Sequence, residues 1–199
     1  MSKIITVGRE FGSGGREFGR RLAEELGFEY YDKEIITEIA KSTSLSENYV
    51  RQVVEHEPHR LYPITIGQTI PYVGDYAFRM EQSVYQAQRK ILLEMAEKSD
   101  CVIVGRCADY VLRDLKPMRI FVYADMPSRV ARCMARGDGD HPTTEKELIR
   151  QIKKIDKNRS KYYEYYTGQK WGAKENYDLC INTTDTVIKD VVVHVAKML

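Results

Sequence analysis

"ITVGREFGSGGREFGRRLAEELGFEYYDKE" occupies residues 5–34. It reads as a strand, a glycine-rich loop, a helix and a second strand that ends in an acid. The apolar run at 4–7 gives the first strand. Phe18, Leu22, Ala23 and Leu26 recur at helical spacing and stop at Gly27, a good helix terminator. The β-rich run at 28–31 leads to Asp32. A strand that feeds glycines into a helix start presents several backbone N–H groups to an anion, and the helix dipole adds partial positive charge. Gly12, Ser13, Gly14, Gly15, Arg16 and Glu17 are the phosphate-binding candidates, the glycines because they let phosphate oxygens approach the backbone. A tight β–α turn without a ligand is the plainer alternative.

The lysine that such loops carry is missing. The pattern G-x-x-x-x-G-K-[ST] fits in no register. With Gly14 as its last glycine, Gly15 stands at the lysine position; with Gly15 as its last glycine, Arg16 stands there and Glu17 replaces the hydroxyl. The first-glycine position is then Arg9 or Glu10. Arg16 is the expected stand-in, because a guanidinium neutralises phosphate bidentately, though along a different path from a lysine. A dinucleotide loop is a rival, but Glu17 occupies the place of its third glycine, while Asp32 would suit a ribose-binding acid.

Further β-rich runs lie at 101–104, 119–123 and 179–182. The runs at 4–7, 101–104 and 119–123 are nearly continuous in apolar residues, as strands covered on both faces are. Helical patterns lie between them, including 35–40, 86–97, 130–135, 148–155 and a last helix at 187–198 capped by Asp185 or Thr186. This alternation predicts an α/β fold with a largely parallel sheet and ligands beyond the carboxyl ends of its strands. The glycine loop, Asp32 and Gly105-Arg106 all fall there. Residues 1–199 read as one domain. An irregular, proline-bearing insertion is expected at about 44–80 and a glycine-rich mobile lid within about 130–160.

Composition excludes several classes. Hydrophobic residues are 43%, charged residues 30%, and the net charge is +2, which gives no global drive toward nucleic acid or an anionic membrane. No apolar run approaches the roughly 20 residues that span a bilayer, and a cytoplasmic location is expected. Cys101, Cys107, Cys133 and Cys180 form no C-x-x-C pair and read as buried free thiols. His56 and His59 lack companions for a metal site. The stretch 153–171 interleaves bases and aromatics like a single-strand nucleic-acid site, but Tyr162, Tyr163, Tyr165 and Tyr166 suit a helix packed on the sheet.

The stretches "REFGSGGRE", "AEELGFEYYD", "CVIVGRCAD", "RIFVYADMPSRVARCM" and "IKKIDKNRSKYYEYYTGQKWGAKENYDLCINT" follow one another in a familiar order and spacing. Together they resemble the cytidylate kinase-like family, within the nucleoside-monophosphate kinases of P-loop fold. The resemblance covers nearly the whole chain and is weakest at about 44–76. It implies a three-layer fold with a five-stranded parallel sheet of order 2-3-1-4-5, helices on both faces and an arginine-bearing lid. It also implies ATP and Mg²⁺, and transfer of the γ-phosphoryl group to a CMP- or dCMP-like acceptor; a monomer or homodimer is expected.

Arg16, Arg106, Arg132 and Arg159 are then the expected catalytic cations, with Arg129 and Arg136 nearby at the start of the lid. Asp32, Gly105, Arg106, Asp109 and Asp156 would face the acceptor, and Asp32 is the candidate for a Mg²⁺-bound water. Cys107 replaces the aspartate that follows Gly-Arg in cytidylate kinases, with Asp109 two residues on. Ile155 replaces an arginine before Asp156. The alternative reading is a nucleotide-binding regulatory or interaction module with a degenerate loop.

Overall fold

The structure, a computed structural model, describes residues 2–55, 58, 73–136 and 144–199. Five strands, β1 (Ile4–Arg9), β2 (Glu29–Tyr31), β3 (Cys101–Val104), β4 (Met118–Tyr123) and β5 (Leu179–Asn182), form one sheet. All neighbours are parallel and the order is β2-β3-β1-β4-β5, as expected. The central strand pairs Val7 with Val104 of β3 and with Ile120 of β4. All three side chains are fully buried, which is why these strands read as apolar runs rather than alternating ones.

Helices cover both faces. On one lie α1 (Gly15–Leu26) and, from the far end of the chain, α8 (Ile188–Ala196). Phe18 and Leu22 of α1 pack there with Ile5, Val7 and Val192. On the other lie α2 (Glu34–Thr43), α3 (Glu47–Glu55), α4 (Val73–Lys98), the short α5 (Ala108–Val111) and α7 (Glu145–Thr167). Ile35, Ile39, Val50, Leu92 and Tyr162 share that core. α6 (Met126–Arg136) packs on α7 through Val130, Cys133, Leu148 and Ile152. Thr144 and Glu147 close a reciprocal capping box at the start of α7.

Several expectations need correction. β1 runs two residues past its apolar stretch, because Gly8 and Arg9 continue the ladder opposite Phe121 and Val122. The segment at 44–80 is not irregular at its described ends. α3 buries Val50 and Val54, one turn apart, and α4 starts at Val73. His56, His59 and the lid tip at 137–143 lie outside the described residues. α8 starts at Ile188 after Val187, without a side-chain cap, since Asp185 has turned left-handed at φ 51. Its carboxylate instead accepts a bond from the Ser128 hydroxyl. Cys101, Cys107 and Cys133 are buried free thiols, but Cys180 is exposed on the edge strand β5. Among the described residues no helix is long and apolar enough to cross a membrane.

Candidate phosphate and acceptor site

Residues 10–14 link β1 to α1 beyond the carboxyl end of the sheet. Gly12 and Gly14 are left-handed, at φ 79 and 80, and Gly14 precedes the helix without any side-chain cap. The Gly15 N–H donates to Ser13 Oγ at 3.4 Å, and the positive end of the helix dipole lies at this turn. The glycines have a further reason to be glycines. A Cβ on Gly12 would come within 2.9 Å of the Arg129 carbonyl oxygen, and one on Gly14 within 2.7 Å of Ile188 Cδ1. Packing of the loop against α6 and α8 excludes side chains there whatever the ligand.

The polar loop residues are largely committed to the protein. The buried Ser13 hydroxyl donates to the Glu10 carbonyl at 2.9 Å, and the Ser13 carbonyl accepts from Thr183 Oγ1 at 2.7 Å. Glu17 pairs with Arg21 at 2.8 Å and with Arg136 at 3.7 Å. Arg16 turns to Asp32, with Nε 2.6 Å from Oδ2, and its side chain stays 48% exposed. These two residues border a cleft of about 510 Å³ that also includes Tyr30, Arg20 and Arg136. Asp32 is buried and lies 3.7 Å from Arg9 as well. It is not the cap of α2, whose N-cap position is Lys33.

Arg9 is the residue that sequence reasoning passed over. Its side chain is only 11% exposed and crosses from the end of β1 to the end of β3, where a Cβ on Gly105 would overlap its Nη1. Burial and then the charge of Arg159 push its pKa well below the usual arginine value. Arg106 and Arg16 act the same way, while Asp32 opposes them. The available signal was a charged residue where an apolar strand runs into the loop.

Arg106 follows Gly105 at the end of β3. Gly105, Arg106 and Cys107 are successively left-handed, at φ 76, 62 and 53. The buried Gln88 side chain holds the turn by donating to the Arg106 carbonyl at 3.0 Å. Arg9, Arg106, Asp109, Arg159, Tyr163 and Trp171 are among the residues lining a cavity of about 60 Å³. Arg159 donates to the Arg9 carbonyl at 3.3 Å and lies over the Phe11 ring.

The remaining sequence candidates fasten the loop. Arg129 is buried, donates to the Phe11 carbonyl at 2.7 Å, and pairs with Glu10 at 3.2 Å and with Asp156. Asp156 also accepts the Phe11 N–H at 2.8 Å, so α6 and α7 are tied to the loop through one carboxylate. Arg132 bonds the Thr183 carbonyl oxygen, and its Nε would lie 4.0 Å from a Cβ on Gly14.

Asp109 accepts from the Tyr163 hydroxyl at 2.6 Å. Burial, the largest influence, raises its pKa despite that bond. A carboxyl whose folded pKa is raised stabilises the fold at low pH and loses that contribution as pH climbs from the ordinary aspartate range through the folded pKa. Asp109→Asn is therefore expected to gain stability over the parent as pH rises from about 4 to 7. Urea melts at several pH values check this, and a constant difference sinks it.

Among the described residues no three His, Cys, Asp or Glu side chains gather to hold a metal ion. Mg²⁺ that travels on phosphates needs only one or two carboxylates and keeps several waters. Asp32, with two arginines already on it, fits such an ion through water and not by direct ligation.

The chain is similar to known proteins along nearly its whole length. A cytidylate kinase of Methanopyrus kandleri is 25% identical over 194 residues, covering 92% of this chain and 86% of that one. An uncharacterized protein from Eubacterium ventriosum, known as a crystal structure, superposes with a TM-score of 0.72 at 28% identity, covering 99% of this chain and 98% of that one. The shikimate kinase of Acinetobacter baumannii, in complex with shikimate, shares the fold at a TM-score of 0.53 and 17% identity, over 100% of this chain and 92% of that one. The family profile matches residues 4–185. The chain belongs to the cytidylate kinase-like family.

Proposed function

We propose that this protein is a phosphotransferase that moves the γ-phosphoryl group of ATP to a nucleoside monophosphate of the CMP or dCMP type. The observation that carries the reading is the charge at the end of the sheet. Arg16, Arg106 and Arg159 all lie within electrostatic reach of Arg9. Arg9 and Arg16 converge on Asp32 and Arg106 and Arg159 line the adjoining cavity with Arg9, a setting that suits a polyanion, and phosphoryl transfer is catalysed chiefly by positioning and charge neutralisation.

In this reading the open turn of α1 and the loop from Gly12 to Glu17 hold the donor phosphates. Arg132 guards their α6 side, and Arg16 faces them from the Asp32 cleft. Gly105, Arg106, Asp109 and Arg159 face the acceptor phosphate. Asp156 positions the loop rather than touching the acceptor. Mg²⁺, when bound between the phosphates, would neutralise charge there, with Asp32 orienting one of its waters. The proposed acceptor cavity, about 60 Å³, is well below the several hundred Å³ of ordinary ligand pockets, so this reading has it widen on acceptor binding. Such closing and opening motions are common in enzymes that exclude water from a transfer step.

The test is ADP release from ATP and Mg²⁺ against a panel of ribo- and deoxyribonucleoside monophosphates. Acceptor-dependent turnover, fastest with CMP or dCMP, is expected. Absence of turnover with every acceptor in the panel, while ATP still raises the melting temperature, would sink the nucleoside-monophosphate kinase reading in favour of a nucleotide-binding module or a kinase of an acceptor outside the panel.

A further inference from the structure

The loop's missing lysine has a structural counterpart. In the register that puts Gly14 last, the lysine position is Gly15 and the first-glycine position is Arg9. The two face each other. A Cβ on Gly15 would overlap the Cβ of Arg9 and reach within 3.0 Å of its Cγ and 3.2 Å of Val122 Cβ. The root of a side chain cannot swing aside as its tip can, so a lysine at 15 and an arginine at 9 exclude each other. The path that a lysine stem would take out of α1 is filled by the arginine stem coming off β1.

We infer that Arg9 is the phosphate-binding cation of this loop, delivered from the first-glycine position in exchange for the lysine at Gly15. Three observations support the exchange. The stem of Arg9 packs on the first residue of α1, where a lysine stem would begin. Its guanidinium ends between Gly105 and Asp32, at the ends of β3 and β2, where the donor and acceptor sides meet. It lies buried with the charges of Arg159, Arg106 and Arg16 acting on it and Asp32 opposing them at 3.7 Å, a setting that an arriving anion would relieve. Arg16, the expected substitute, emerges from the next helical position and is bound to the far oxygen of Asp32. Its role becomes holding Asp32 in place so that Arg9 does not lose its charge partner.

A guanidinium in this place differs from an ammonium. It has five donors in a fixed plane and can bridge two phosphate oxygens, where lysine offers a point charge. The chain thus has a triphosphate cradle that no lysine motif would detect.

The inference rests on the loop being a phosphate site, and the test separates the two. Tripolyphosphate and a non-hydrolysable ATP analogue are titrated calorimetrically into the parent, Arg9→Ala, Arg9→Lys and the double variant Arg9→Gly with Gly15→Lys. The double variant restores G-x-x-x-x-G-K at residues 9–15 and removes the overlap. Melting temperatures are recorded so that affinities are compared on folded protein. Arg9→Ala is expected to weaken both ligands at least about tenfold, the loss of a charge-assisted pair. Arg9→Lys should recover part of this and the double variant most of it. Parental affinity in folded Arg9→Ala, or a folded double variant no better than Arg9→Ala, overturns the exchange. A parent that binds neither ligand overturns the phosphate-site reading itself.

Discussion

Arg129→Met is expected to lower unfolding free energy by about 3–5 kcal/mol, the usual loss when one partner of a buried ion pair is removed. The side chain is 6% exposed and serves three groups: Glu10 at 3.2 Å, the Phe11 carbonyl at 2.7 Å, and Asp156. Methionine keeps much of the stem's packing, so the loss isolates the charge. Glu10 and Asp156 would be left facing each other without their common cation. Burial already raises the Glu10 pKa, and Arg129 is the largest influence holding it down. Without Arg129 the raised pKa climbs further. A carboxyl shifted upward costs the fold most when ionised, so the variant's deficit should be larger at pH 7 than at pH 4. Chemical denaturation at both values checks magnitude and sign together. A loss under about 1 kcal/mol, typical of a surface pair, would show that Arg129 is not the fastening between α6, α7 and the loop. ATP affinity should fall as well, because Phe11 is gripped at both its N–H, by Asp156, and its carbonyl, by Arg129.

The contrast between Arg129 and Arg9 shows what a sequence displays and what it conceals. The sheet was legible because each central strand is buried on both faces, which forces continuous apolar runs such as Cys101–Val104. Gly27 was legible because a left-handed residue must end α1, at φ 68. The arginines were visible as a population but not as individuals. Arg129 and Arg132 sit three apart on α6, yet one is buried against Glu10 and Asp156 while the other reaches Thr183 at the end of β5. Those partners lie 27 to 119 residues away in the chain, beyond any local pattern. Arg9 was hidden for a related reason. Motif reading compares positions along the chain, whereas the stem of Arg9 and the missing stem at Gly15 are neighbours only across the β1–α1 turn. The segment between α3 and α4 carried prolines that masked the helical faces on either side, although Val50 and Val54 sit at helical spacing.

Arg106→Gly is expected to separate stability from activity in opposite directions. Arg106 is left-handed at φ 62, between Gly105 at 76 and Cys107 at 53. A non-glycine residue held there costs on the order of 1–3 kcal/mol, and such strain persists only where surrounding structure enforces it. Here the enforcing contact is visible: the fully buried Gln88 donates to the Arg106 carbonyl at 3.0 Å. Glycine adopts this conformation freely, and its presence also removes one cation from the neighbourhood of Arg9. The variant should therefore be at least as stable as the parent in a denaturant melt. Phosphoryl transfer should nevertheless fall by roughly 10²–10³-fold, the usual loss of one charge-stabilising donor. Because Arg106 lines the cavity proposed for the acceptor and lies outside the glycine loop, ATP affinity should stay within about threefold while kcat/KM for the acceptor carries the loss. A more stable, ATP-binding and inactive variant would mean that the chain keeps a strained arginine where a relaxed glycine would fold better. A variant that is both less stable and fully active would mean that Arg106 fastens the end of β3 and leaves the acceptor to other cations.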